Sequence, residues 1–327
     1  MEKHKHSWLL YLNLIVVLFC IRALAHLEVY LTDKLRPKVR KDVLVVHTSI
    51  PSRDKGRSIP VHIYKPREPG PGLPPVNINA HGSGFCLDAY FGNSRWPCYL
   101  IASQLKCVVI DVKYRKAPEY PFPNGLEDVI DVIEWVHNQS ECFDTKRVSV
   151  TGFSSGGNII LSAASQVGPE RICAATIFYA PVDASSREAR EGILIPPNTT
   201  MRSGIALNPW VYRYLFHSYL PPSQPYDDPR ISIIFRPVET LPNHMLFVSG
   251  DADAICVEMI RIYDLVKTHG NPVQKANVGL FIAKDEGHAF DEQANCPESI
   301  KLRDEVYQAM IDNIRRSWNK LLPHETL

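Results

Sequence analysis

Short runs of β-branched and aromatic residues recur along this chain, separated by polar and glycine- or proline-marked breaks, and they predict strands. The strands are expected at Asp42 to Ser49, Ile59 to Lys65, Val76 to Ala80, Cys107 to Tyr114, Arg147 to Phe153, Cys173 to Ala180, His244 to Ser249 and Asn277 to Ala283. The first two read as a hairpin turned by Pro51-Ser52-Arg53-Asp54-Lys55-Gly56. Later strands alternate with helix-like segments near Gly125 to His137, Gly156 to Gln166, Ile255 to His269 and Glu298 to Lys320. Such alternation predicts an α/β architecture with a mostly parallel, doubly wound sheet of eight strands.

The alternation fails between Asp183 and Pro229, where Pro196-Pro197, Pro209, Pro221-Pro222 and Pro225 break up an apolar stretch. Within it Trp210 to Phe216 reads as a short amphipathic helix, and a long irregular insertion of this kind in a compact domain is expected to be a functional lid. A cap over about residues 184 to 228, joined by an N-terminal helix, would cover a site whose aromatic lining suits an apolar ligand. The competing reading is that Trp210 and Tyr214 simply fasten the lid to the core.

The first residues form a different pattern. Lys3 and Lys5 precede an apolar run from Trp8 to Ile21, broken only by Asn13, and Arg22 and Ala23-Leu24-Ala25 follow. A positive start, a short apolar stretch and small residues at the end fit a secretory signal peptide over residues 1 to 25. An uncleaved membrane anchor fits equally, because apolar character resumes at Leu27, Val29, Tyr30 and Leu31; an apolar cap helix of a soluble protein is the third reading. Two glycosylation sequons, Asn138-Gln139-Ser140 and Asn198-Thr199-Thr200, are compatible with a secretory-pathway location such as the endoplasmic reticulum membrane or the exterior. Of the eight cysteines, Cys107 and Cys173 fall in strands, and Cys86 and Cys98 are left open as a pair or as thiols.

Composition narrows the function classes. The 327 residues are 45% hydrophobic with no linker or repeat, enough for one full core over residues 26 to 327. A formal charge of +1 excludes little by itself, but with basic residues scattered it lacks the electrostatic footprint of nucleic-acid binding, so no nucleic-acid partner is expected and a neutral or apolar small molecule is favoured. No H-E-x-x-H or paired-cysteine spacing is present, so no metal and no cofactor are expected.

Chemistry concentrates in three places. Val150-Thr151-Gly152-Phe153-Ser154-Ser155-Gly156-Gly157-Asn158 runs from a strand through a G-x-S-x-G turn into the apolar Ile159-Ile160-Leu161, which lifts the Ser154 hydroxyl clear of the sheet. By itself this motif is also compatible with a phosphate cradle. Upstream, the strand Val76 to Ala80 ends in His81-Gly82-Ser83-Gly84-Phe85, whose backbone N–H groups, with that of Ser155, would form an oxyanion hole. Downstream, one strand delivers Gly250-Asp251-Ala252-Asp253 and the next delivers Glu286-Gly287-His288-Ala289-Phe290 at their carboxyl ends. The chain order is therefore Ser, Asp, His, as an α/β-hydrolase requires. Among twelve histidines only His288 has the glycine-flanked loop of a mobile base; His81 is expected to anchor its loop by hydrogen bonding.

These motifs, together with Tyr114-Arg115-Lys116-Ala117-Pro118-Glu119 and Asp227-Asp228-Pro229-Arg230-Ile231-Ser232, resemble the hormone-sensitive-lipase family of α/β-hydrolase esterases from about residue 60 onward. The resemblance implies an α/β-hydrolase fold with a lid. It implies Ser154 as nucleophile, His288 as general base and Asp253 as the orienting carboxylate, since Asp253-Ala254-Ile255 matches the family's Asp-x-Leu element. Asp251 is the rival acid, better suited to capping the turn, and Glu258 a weaker one inside a helix. It further implies backbone donors from Gly82, Ser83, Gly84 and Ser155. Two departures stand out: Ser83 replaces a glycine, so it is expected in a backbone geometry that glycine reaches more easily, with its hydroxyl offered to substrate; and Phe153 and Ser155 flank the nucleophile. The implied activity is that of a serine carboxylesterase on short or medium acyl esters of a lipophilic small molecule, through an acyl-enzyme. An acyltransferase or thioesterase on the same triad, or a ligand receptor on a hydrolase fold, are the alternatives.

Overall fold

The structure, a computed structural model, describes residues 8–32 and 41–319, with side chains from residue 12. Lys3, Lys5 and Lys320 lie outside the described residues. Eight strands form one sheet: β1 (Val43–Pro51), β2 (Ser58–Pro66), β3 (Val76–Ala80), β4 (Val108–Val112), β5 (Val148–Phe153), β6 (Ala174–Phe178), β7 (His244–Gly250) and β8 (Val278–Ala283). Their order is β1-β2-β4-β3-β5-β6-β7-β8; β2 is antiparallel to both its neighbours and every other pairing is parallel. The expected hairpin is present, with a shorter turn, because β1 pairs through Pro51 to Ser58 and Ser52 N–H donates to Arg57 O.

Nine α-helices accompany the sheet among the described residues: α1 (Trp8–Thr32), α2 (Arg95–Leu105), α3 (Asn124–His137), α4 (Ser155–Val167), α5 (Arg187–Glu191), α6 (Pro209–Tyr219), α7 (Cys256–His269), α8 (Pro272–Asn277) and α9 (Pro297–Asn319). The strands β3 to β7 are buried throughout, which is why they read as continuous apolar runs. Their alternate side chains feed two cores. Ile78, Ile110 and Val150 pack with Val129, Val132 and Ile160 of α3 and α4, and Val109 and Phe153 with Ile101, Met310 and Ile314 of α2 and α9. Helix α2 has no counterpart in the pattern reading. It buries Pro97, Cys98, Tyr99, Ile101 and Ala102, so its apolar residues ring the helix instead of marking one face.

The irregular insertion holds α5 and α6. Pro209 opens α6, and the Asn208 side chain caps it by accepting from Trp210 N–H and Val211 N–H. Tyr219 of α6 stacks on Phe85 at 3.9 Å between ring centroids, and Tyr214 OH donates to Asn13 Oδ1 of α1 at 3.2 Å. Helix α1 buries Leu14, Leu18 and Ala25 and leaves Val16, Phe19, Leu24, Leu27 and Leu31 exposed on its other side. All eight cysteines are free thiols, Cys86 and Cys98 included.

Candidate active site

Ser154 sits between β5 and α4 with φ 50° and ψ −126°, a conformation that a side-chain-bearing residue adopts only where the surroundings hold it. The surroundings are glycines. A Cβ on Gly156 would land on the Ala80 and His81 carbonyl oxygens, and one on Gly152 would meet Ile160 at 2.5 Å and Gly157 at 2.7 Å. The helix therefore starts hard against the ends of β3 and β5, and the Ser154 hydroxyl is left facing a cleft.

His288 Nε2 lies 3.0 Å from Ser154 Oγ, and His288 Nδ1 lies 2.8 Å from Asp253 Oδ2. Asp253 is buried, and its other oxygen accepts from Ile255 N–H at 3.0 Å, which fixes the carboxylate at the start of α7. The rival acids go elsewhere. Asp251 accepts from Asp285 N–H at 2.7 Å and from the Asn198 side chain at 3.2 Å, so it ties loops together. Glu258 accepts from Val182 N–H and Asp183 N–H at 2.6 and 2.7 Å, while its second oxygen has no partner; burial pushes its pKa up to about 8.

The loop after β3 differs from expectation in two respects. Left-handed backbone occurs at Gly84 (φ 51°) and Phe85 (φ 64°), while Ser83 keeps a negative φ. The Ser83 hydroxyl also points away from the cleft: it lies 2.8 Å from Tyr114 OH and 3.3 Å from Ser155 Oγ, all buried. Ser83 N–H donates to Ser155 Oγ at 3.0 Å, whereas the N–H groups of Gly82, Gly84 and Ser155 take part in no hydrogen bond among the described residues. The His81 ring nitrogens make no hydrogen bond of ordinary length, Nδ1 lying 4.0 Å from Asp111 Oδ1. The ring stacks on Tyr114 at 4.9 Å instead, and burial lowers its pKa well below the usual imidazole value.

Several supporting residues gave no sequence motif. Tyr179 follows β6 with φ 35°, packs edge-to-face with His288 at 4.8 Å between ring centroids, and donates its OH to Asp291 at 2.6 Å. Tyr307 of α9 donates to the other Asp291 oxygen at 2.8 Å, so the loop after His288 is held by a fully buried triad of its own. The only hint was position: Tyr179, like Ser154, stands just past the carboxyl end of a central strand. Glu286 is likewise buried, held by Ser299 at 2.7 Å and by Arg202 of the insertion at 3.2 Å.

The cleft above Ser154 encloses about 170 Å³ and is walled by Phe85, Leu87, Leu207, Tyr212, Leu215 and Phe216. Glu28 of α1 also lines it and accepts from Tyr90 OH at 2.6 Å. Such a site, a serine hydroxyl hydrogen-bonded to an imidazole at one end of an apolar slot with backbone N–H groups beside them, suits acyl transfer from an uncharged ester.

The family described as alpha/beta hydrolase fold matches residues 77–290. Ethyl acetate hydrolase of Pseudomonas putida is 26% identical over 250 residues, covering 74% of each chain. Arylacetamide deacetylase of Oryctolagus cuniculus is 34% identical over 144 residues, covering 41% of this chain and 34% of that protein. Among solved structures, the hyperthermophilic esterase of Pyrobaculum calidifontis superposes with a TM-score of 0.73 over 95% of this chain and 98% of its own, at 22% identity.

Proposed function

The chain belongs to the alpha/beta hydrolase family and is a carboxylic ester hydrolase, and from that premise we propose that Ser154, His288 and Asp253 hydrolyse short or medium acyl esters of a lipophilic small molecule. The observation that carries this reading is the unbroken hydrogen-bonded line from Asp253 Oδ2 through both His288 nitrogens to Ser154 Oγ, at 2.8 and 3.0 Å, opening into an apolar cleft. His288 Nε2 takes the Ser154 proton as Oγ attacks the ester carbonyl carbon, and the carbonyl electron pair moves onto oxygen. Collapse of that tetrahedral species expels the alcohol, which receives the proton from His288, and leaves the acyl group on Ser154. Water, deprotonated by His288, repeats the attack and frees the acid.

The oxyanion faces backbone N–H groups of Gly82, Ser83, Gly84 and Ser155. Ser83 contributes least, because its N–H is shared with Ser155 Oγ. Each full donor of this kind is worth on the order of a hundredfold in rate. Buried Asp253 stabilises the imidazolium formed in each step without leaving its Ile255 N–H bond. Acyl length is limited by the slot, and the aromatic and aliphatic walls favour a lipophilic alcohol over a polar one.

The enzyme works at a membrane of the secretory pathway, held there by α1. Support comes from its outer side, where Val16, Phe19, Leu24, Leu27 and Leu31 are exposed, while Arg22 and Glu28 of the same helix are engaged with Glu119 and Tyr90. Asn138, exposed at the end of α3, is the glycan acceptor; the Asn198 amide is occupied by Asp251 and Asp285.

The test is hydrolysis of p-nitrophenyl esters of increasing acyl length by the full chain in detergent, beside Ser154→Ala. Turnover that vanishes with the serine supports the reading, and an optimum at two to about eight carbons is expected for the narrow slot. Equal turnover by Ser154→Ala sinks it.

A further inference from the structure

Arg22 is the one arginine in α1, set in a mostly apolar helix where a charge is expensive unless fully partnered. Its guanidinium is partnered on three sides. Nε donates to Cys86 O at 2.9 Å, Nη2 to Ala117 O at 2.8 Å, and Nη1 and Nη2 grip the two Glu119 oxygens at 2.7 and 2.8 Å. The Glu119 carboxylate is correspondingly held below its usual range by the arginine.

The two carbonyls belong to the oxyanion loop and to its immediate support. Cys86 N–H and Leu87 N–H both donate to Ser83 O, at 3.1 and 2.9 Å, and Ala117 N–H donates to Phe85 O at 3.0 Å. Arg22 thus closes a bracket around the turn that contains Gly84 and Phe85, both left-handed, and such a turn persists only where its surroundings over-determine it. Stability alone is a poor explanation for the bracket. Glu119 is about half exposed (52%), and ion pairs so exposed contribute little to folding. Geometry is what a planar fork of donors supplies, and lysine does not supply it.

We propose that Arg22 is a positioning residue for the oxyanion donors, so that α1 is a working part of the esterase and is retained in it. This rests on the reading of Gly82 to Gly84 as the oxyanion hole. Cleavage after Ala25 would remove Arg22 and release Cys86 O and Ala117 O together.

The test compares full-chain wild type, Arg22→Ala and Arg22→Lys on p-nitrophenyl acetate, with Ser154→Ala as the control for the serine reading itself. Arg22→Ala is expected to lose about tenfold in kcat with KM nearly unchanged, less than deletion of a donor because the loop shifts and is not lost. Its affinity for a trifluoromethyl ketone, which builds an oxyanion on Ser154, is expected to fall by the same factor, and added ethylguanidinium to restore part of both. Arg22→Lys, which returns the charge without the fork, recovers only part. A folded Arg22→Ala with wild-type kcat, or one that melts earlier yet binds the ketone as tightly as wild type, overturns the proposal. Should Arg22→Ala fail to fold, Glu119→Gln carries the same test by loosening the guanidinium: a lower kcat at constant KM supports it and an unchanged kcat overturns it.

Discussion

Ile205 of the insertion and His288 exchange two backbone hydrogen bonds, Ile205 N–H to His288 O at 2.7 Å and His288 N–H to Ile205 O at 3.2 Å. Ser203 extends the pairing by accepting from Gly287 N–H at 2.8 Å. The insertion is therefore stitched to the loop that carries His288, and moving one displaces the other. Gly204 makes this possible: its φ is +95°, and a Cβ there would meet Gly287 C at 2.7 Å and His288 O at 2.8 Å.

Gly204→Val is accordingly expected to push His288 away from Ser154 and lower kcat by about a hundredfold, the scale of a small misplacement of a catalytic group. Kinetics on a soluble acetate ester, with circular dichroism to establish folding, decide it. A folded variant at wild-type kcat would show that the cap does not position the base.

Replacing the line of residues themselves has graded consequences. Ser154→Ala and His288→Ala are each expected to reduce turnover to the background left by backbone donors, and Asp253→Asn is expected to lose on the order of ten-thousandfold because the imidazole would be held in the wrong tautomer. Asp251→Asn, by contrast, disturbs only loop contacts to Asp285 and Asn198 and stays within about tenfold of wild type. If Asp251→Asn proved the more damaging of the two aspartate variants, the assignment of Asp253 would be lost.

Burial of Glu258 governs a pH effect on stability. Its folded pKa, near 8, is above the ordinary carboxylate value because burial outweighs the two N–H groups it accepts. A raised folded pKa contributes stability below the unfolded value, and that stability is lost as pH rises from about 4.5 through 8. Glu258→Gln keeps an acceptor for Val182 and Asp183 and has no proton to lose. Relative to wild type it is expected to gain on the order of a few kcal/mol between pH 5 and pH 9, at about 1.4 kcal/mol per unit. Urea midpoints at those two pH values measure it, and parallel curves would mean Glu258 is ionised throughout.

What was legible in the chain was whatever is written locally. Strand ends announce Ser154, Asp253 and His288, because each lies within five residues of an apolar strand's end and a glycine lies beside or near it. The α6 helix was readable from the aromatic run Trp210 to Phe216, though Pro209 read as a break and proves to be its first residue. What is written across long separations was not readable. The Asp291 carboxylate between Tyr179 and Tyr307 joins segments 112 residues apart along the chain, and no spacing encodes that. Arg22 read as the flank of a leader segment, since nothing nearby in sequence announces Glu119 as its partner. Ser83 read as a substrate contact because only packing against Tyr114 shows which way its hydroxyl turns.

Ser155 supplies the sharpest local test of the oxyanion arrangement. Its hydroxyl holds the Ser83 N–H at 3.0 Å and lies 3.4 Å from Tyr114 OH, so it withdraws one donor from the cleft while tying the loop to the core. Ser155→Ala leaves the residue 155 N–H in place and releases that of Ser83. The lost hydrogen bonds are expected to cost about 1 kcal/mol of stability. The freed donor is expected to leave kcat unchanged or raise it by up to about tenfold, since a full additional oxyanion donor sets the ceiling well above that. Thermal midpoint and kcat on one short ester give both numbers. A fall of tenfold or more in kcat would mean that the Ser155 hydroxyl, and not the N–H it holds, shapes the oxyanion site.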